Sequence, residues 1–197
     1  IEVISENGLY NGSLLSYFAG GNGMPLPAIS LFARALTIAG SLRSGSQNRA
    51  GSIKIEGQDS VNIQNSSILA NGADGGEVQI ISMNGTVSLV NTVVQTNGGE
   101  GRGGAISVAG LQSTTLSGST LEATGINQGG KILIGNDAKN GTLPFSAHAS
   151  LDALTVLNAQ ALNPSSNLGG FIETSGHILD QLAKINAGRG GMWLIDP

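Results

Sequence analysis

Apolar residues recur along this chain in short alternating runs, and the runs themselves repeat. One unit places an apolar residue two positions before a small one: Leu42/Ser44, Ile68/Ala70, Val94/Thr96, Leu121/Ala123, Leu157/Ala159 and Ile185/Ala187. Successive first members are 26, 26, 27, 36 and 28 residues apart. A second unit follows the same period, with two inward-reading positions either side of one outward residue. It appears at Ile53/Ile55, Val78/Ile80, Ile106/Val108, Ile132/Ile134, Ile172/Thr174 and Trp193/Ile195, each led by a glycine two places earlier. Alternation at period two marks a half-buried strand, and a fixed longer period marks a solenoid.

The span from Gly51 to Gly75 illustrates one turn. Ile53 and Ile55 form a first strand, residues 57–60 bend the chain, Val61 and Ile63 form a second strand, and Ile68 and Ala70 a third. Residues 71–75 then turn into the next unit. Asn-Gly pairs at 7–8, 11–12, 22–23, 71–72, 84–85, 97–98 and 140–141 suit tight corners, because both residues tolerate positive φ. Strands of equal sense separated by whole turns stack in parallel at about 4.8 Å, so six recognisable turns predict a rod roughly 30 Å long. Leu42, Ile68, Val94, Leu121, Leu157 and Ile185 form one inward column, beside a small-residue column from Ser44 to Ala187. A one-residue slip would turn both columns outward. The fold class is therefore all-β, a parallel β-helix of six to eight turns in one domain.

Two regions depart from the period. Residues 1–39 are expected to form irregular first turns, with a longer loop around Tyr17, Phe18, Gly20-Gly21, Pro25 and Pro27. Residues 40–197 are expected to form the regular β-helix, with an outward excursion at 136–150 that stretches one unit to 36 residues. Outward positions of the second unit also change character, from Lys54, Gln79 and Ser107 to Leu133, Phe171, Met192 and Leu194. A solvated face stays polar, so this strip is expected to be covered by the excursion or flanking chain, or else to bind a partner.

Composition sharpens this picture. Glycine supplies 31 of 197 residues, more than twice the usual ~7%. Aromatics make up only 4%, too few for an ordinary globular core but sufficient for a thin core of stacked Val, Ile, Leu and Ala. Net charge is −4, and the nine basic residues are scattered, which argues against nucleic-acid binding. Without cysteine, neither a disulfide frame nor a thiolate metal site exists. No apolar run reaches the ~20 residues of a membrane helix. Ile1-Glu2-Val3-Ile4 reads as the end of a repeat already in progress, so a piece of a longer protein is expected.

The stretch Gly129-Gly130-Lys131-Ile132-Leu133-Ile134-Gly135 is followed by Gly169-Gly170-Phe171-Ile172-Glu173-Thr174-Ser175-Gly176 and then by Gly190-Gly191-Met192-Trp193-Leu194-Ile195-Asp196-Pro197. These motifs resemble the haemagglutinin-repeat region of large bacterial exoproteins, the filamentous-haemagglutinin-like (TpsA) adhesins of two-partner secretion. That family carries a similar GGxxExSG strand followed by GGxWLLDP. The resemblance implies a right-handed parallel β-helix, secretion to the outer surface of a Gram-negative bacterium through an outer-membrane export partner, and work in adhesion, haemagglutination or aggregation. It implies a cell-surface receptor or glycan as partner, engaged through other parts of the full-length protein.

Candidate chemistry is sparse. His148 and His177 are the only histidines and lack zinc-ligand spacing, so both are expected at the surface or in turns. Asp152 and Asp180 each lie five residues before a core-column residue. They would stack on adjacent turns and repel or bind a cation; separate exposed carboxylates are the favoured reading. Lys139, Lys184 and Arg189 are the nearby basic groups. Asp74 and Glu100 sit in Gly-rich turns without the repeated aspartate of calcium-binding solenoids. Ser46 has no partner base, and Thr86, Thr92, Thr96, Thr114 and Thr115 make no regular ice-binding array. The sequons at Asn11, Asn65, Asn84 and Asn140 occur at the chance rate.

The sequence therefore assigns no catalytic residue, no metal ligand and no cofactor. The expected function is a structural or adhesive stalk segment, not an enzyme. Two alternatives stay open: a carbohydrate-active β-helix enzyme of polysaccharide lyase or glycosidase type, and a self-assembling β-solenoid fibre subunit joined end to end through open strand edges.

Overall fold

The computed structural model describes residues 1–16, 28–45, 50–137, 141 and 143–197. Among the described residues, seventeen strands belong to one continuous parallel sheet that winds around an aliphatic core. The two longest strands come first: β1 (Glu2–Ser16) and β2 (Ala28–Ser44) pair in parallel from Glu2↔Ser30 to Ser16↔Ser44. Next come β3 (Ser52–Gln64) and β4 (Ser67–Leu69). The turns after that each carry three short strands. They are β5 (Glu77–Ser82), β6 (Thr86–Val90) and β7 (Val93–Gln95), then β8 (Ala105–Gly110), β9 (Ser113–Ser117) and β10 (Thr120–Glu122). β11 (Lys131–Ile134), β12 (His148–Leu151) and β13 (Val156–Asn158) make another turn. β14 (Phe171–Ser175), β15 (Ile178–Gln181) and β16 (Lys184–Asn186) precede the final β17 (Met192–Asp196).

Pairing divides these strands into three ladders, as the stacked period requires. The first runs from β3 through β5, β8, β11 and β14 to β17. The second runs from β3 through β6, β9 and β12 to β15. The third runs from β4 through β7, β10 and β13 to β16. β2 spans all three, pairing with the two halves of β3 and with β4. The fold is thus a parallel β-solenoid, and its register puts Leu42, Ile68, Val94, Leu121, Leu157 and Ile185 in one column. Each of the first five is fully buried. The first ladder contributes Ile29, Ile53, Val78, Ile106, Ile132, Ile172 and Trp193 as a second column.

In the first 39 residues, where irregular turns were expected, β1 and β2 lie side by side over nearly their whole length. The Asn-Gly pairs at 7–8 and 11–12 sit inside β1 and make no corner. Strand pairing with β2 overrides the local turn preference of those pairs. Tyr17, Phe18, Gly20, Gly21, Pro25 and Pro27 fall outside the described residues.

Corners between the second and third strands use a device the columns alone do not reveal. Asn65 and Asn91 have φ of 48°, and Gly118 has φ of 57°. The next residue in each case, Ser66, Thr92 or Ser119, is buried. Its hydroxyl donates to a carbonyl of the preceding turn: Ser66 to Ile38, Thr92 to Ile63 and Ser119 to Leu89. Each hydroxyl is also within bonding distance of the carbonyl two residues back. Left-handed residues bend the chain, and the hydroxyl satisfies a carbonyl that the bend exposes. Thr155 continues this ladder by donating to Leu116 O at 3.2 Å.

The chain leaves the wall after β11 and rejoins it at β12. Leu143, in this excursion, packs against Ile81, Ala109 and Leu133, with Phe171 alongside. Leu133 is consequently only 3% exposed although it points away from the main core. Leu194, in register with Leu133 two turns on, is partly exposed, and Met192 in the adjoining outward row is 57% exposed.

Candidate functional site

The two aspartates singled out by spacing do not stack. The register pairs Ser150 with Asp180 and Leu151 with Gln181, which places Asp152 two positions beyond Asp180. The 36-residue unit misleads the count because its extra residues lie before β12 and in the turn that follows it. Asp180 is exposed and its Oδ2 lies 2.8 Å from His148 Nε2, a surface pair. Asp152 is held in a turn by donors. Ser117 Oγ donates to it at 2.7 Å, Gly118 N at 3.1 Å, and the Thr155 amide and hydroxyl at 2.9 Å each. Burial opposes ionisation of this carboxyl, but the hydrogen bonds from Ser117, Gly118 and Thr155 outweigh it and hold its pKa at about 2.

This carboxylate is therefore a structural clamp, and its pKa sets a pH dependence. A folded-state pKa below the ordinary value stabilises the fold above about pH 4, and that contribution disappears as pH falls towards 2. Discounted for solvent screening of this partly exposed turn, the shift contributes on the order of 1 kcal/mol. Urea denaturation of Asp152→Ala should show this loss at neutral pH and a flatter stability profile between pH 4 and pH 2 than the parent chain. Identical profiles would remove the clamp.

The other candidates also resolve into structural or surface positions. His177 is exposed and its ring lies 4.2 Å from that of Phe145. Asp74 Oδ1 accepts the Arg102 amide at 2.7 Å, and Glu100 lies exposed in the adjoining turn. Thr92, Thr96 and Thr114 are fully buried, so they cannot share an outer face with Thr86 or Thr115. Lys184 and Arg189 are exposed, while Lys139, Ser46 and Asn140 lie outside the described residues. Among the described residues, no group of three or more His, Cys, Asp or Glu side chains comes together as a metal site.

Two features escaped the sequence reading. Glu173 occupies an outward register position yet is fully buried, with Ser175 Oγ donating to its Oε1 at 2.9 Å. Nearby on the neighbouring turn, Lys131 Nζ lies 3.7 Å from buried Asp137. No local pattern announces either, because the excursion that includes Asp137 comes from a different part of the turn.

The second feature is a groove of about 1020 Å³ along the corner between the third and first ladders. Glycine pairs at 75–76, 103–104, 129–130 and 169–170 make its floor. An added Cβ at Gly104 would sit 2.0 Å from Gly76 O, so neighbouring turns approach too closely for a side chain. One wall is the register row Ser52, Glu77, Ala105, Lys131, Phe171 and Met192. Asp74, Arg102 and Gln128 stand opposite. The glycine run was legible in the sequence; the groove needed the turns to be superposed.

No protein-family model matches this chain, and no curated protein sequence matches it. Among solved structures it is similar to the HMW1 secretion domain from Haemophilus influenzae, at 17% sequence identity and a TM-score of 0.42, over 89% of this chain and 68% of that one.

Proposed function

We propose that this chain is a structural β-helix segment of a large bacterial exoprotein, exported to the Gram-negative cell surface by two-partner secretion and used in adhesion, haemagglutination or aggregation. The observation that carries this reading is the interior. Columns of aliphatic side chains continue from turn to turn, and the acids and histidines with candidate chemistry are spent on turns and surface pairs. A filled core with chemically quiet walls suits a stiff spacer, since each turn buries its faces only against its neighbours.

The same construction fits export in an unfolded state. No disulfide has to form, and each turn pairs directly with the one before it, so folding can proceed as the chain emerges. The motifs from Gly129 to Pro197 support the family reading on which an outer-membrane export partner is proposed.

Surfaces coated with the purified chain test the adhesive role. Epithelial and bacterial cells are expected to adhere to it above an albumin-coated control through lateral sites on its long faces; equal adhesion would overturn the adhesive part of the reading and leave the chain a spacer for binding by other parts of the protein. In parallel, turnover of pectin or alginate that is abolished by Asp152→Asn or Asp180→Asn would replace the non-enzymatic reading with a carbohydrate-active one.

A further inference from the structure

We propose that the glycine-floored groove binds a neutral, extended polysaccharide, lying along the solenoid axis. This deepens the adhesive reading by naming a ligand class, and it rests on that reading for the biological source of the ligand.

The floor comes first. Its amides are already engaged between or within turns: Gly75 N donates to Arg102 O, Gly103 N to Gln128 O, Gly129 N to Leu168 O and Gly169 N to Arg189 O, all at 2.8–2.9 Å. The second glycines are engaged as well, Gly104 N with Thr96 O and Gly130 N with Ala123 O, both at 2.7 Å. Gly75, Gly76, Gly103, Gly104, Gly130 and Gly169 stay partly exposed along the floor, while Gly129 and Gly170 are buried. Such a floor offers no strand edge to pair with, and it runs across the strands, not along them. An extended peptide gains its affinity from main-chain pairing at an edge, so this groove favours another kind of polymer.

The walls point to which kind. Asp74, Glu77, Arg102 and Lys131 line the groove, with Lys131 also 3.7 Å from Asp137, and Gln128 stacks beside Arg102 on the following turn. These side chains supply acceptors and donors to hydroxyl groups. Two cations against two lining acids, with Asp137 beside Lys131, leave no excess positive charge, so a polyanion gains no net attraction. Wall groups recur at the strand spacing of about 4.8 Å, close to the advance of one pyranose unit in an extended chain. Successive sugars would meet equivalent turns. Phe171, beside Met192 at one end, adds an apolar surface for a sugar ring face.

Ala105 provides the test, because it lies in the wall row between Glu77 and Lys131 and is only partly buried. Ala105→Ile would narrow the groove with a strand-compatible side chain and leave the inner columns unchanged. Calorimetric titration of the chain with cellohexaose and mannohexaose should give saturable binding, weakened about tenfold in Ala105→Ile and in Gln128→Ala, with the melting curve retained. Absence of binding to both neutral hexasaccharides would overturn the proposal. So would unchanged affinity in a folded Ala105→Ile, tighter salt-sensitive binding of hexagalacturonate, or displacement by an extended Gly-Ser peptide. Cell adhesion that persists without hexasaccharide binding would remove the groove site and leave the adhesive role standing.

Discussion

A Gly104→Val variant should lose cooperative unfolding, or melt with a deficit of about 4 kcal/mol or more. The reason is close approach of backbones, not an unusual φ. An added Cβ would lie 2.0 Å from Gly76 O, 2.7 Å from Gly75 C and 2.8 Å from Gly76 N. All three are main-chain atoms, with Gly76 O accepting from Ala105 N of the next turn and Gly76 N donating to Ala70 O, so no flexible side chain can yield. The adjoining corner is similarly tight, because Cβ at Gly130 would lie 2.2 Å from Gly104 O. Displacing one corner must therefore spread to its neighbours, and in a solenoid every turn depends on the next. Gly99→Ala is the matched control: its nearest neighbour is Gly72 O at 3.6 Å, an ordinary contact. Urea denaturation should leave that control within about 0.5 kcal/mol of the parent. Equal stability of Gly104→Val and Gly99→Ala would show that the corner is not tight.

Leu121→Ala should cost about 3–4 kcal/mol. Leu121 is fully buried, and its register neighbours in the same column are Val94 on one side and Leu157 on the other. Truncation would leave a cavity between two side chains held in place by strand pairing, so the walls cannot easily collapse. Leu162, at 47% exposure, gives the contrast, and Leu162→Ala should change stability by less than about 0.5 kcal/mol. Similar losses in the two variants would contradict the inward column. The comparison isolates the packing contribution, since both substitutions remove the same atoms.

Much of this was readable before any coordinates. The inward column from Leu42 to Ile185, the small column beside it and the paired glycines all follow from residue type and spacing. Even the corner hydroxyls leave a trace: Ser66, Thr92, Ser119 and Thr155 each stand two residues before a column member. Their role was missed because serine and threonine also read as ordinary turn residues. Thr96 and Ser44 mark the other limit. Spacing placed them in the small column, and both are buried there, but neither hydroxyl finds a hydrogen-bond partner among the described residues. Pattern fixes which way a side chain points and is silent about what its polar atom meets.

The sequence by itself determined the winding, because inward and outward positions alternate locally and the same alternation returns every turn. Only the tertiary structure decided what happens on the outside. It placed Leu143 over Leu133, buried Glu173, separated Asp152 from Asp180 and aligned four glycine pairs into one groove. Those outcomes depend on residues brought together from different turns and on an excursion of irregular length. Periodicity encodes neither, since it records the direction of each side chain along its own strand and nothing of what another turn lays across it.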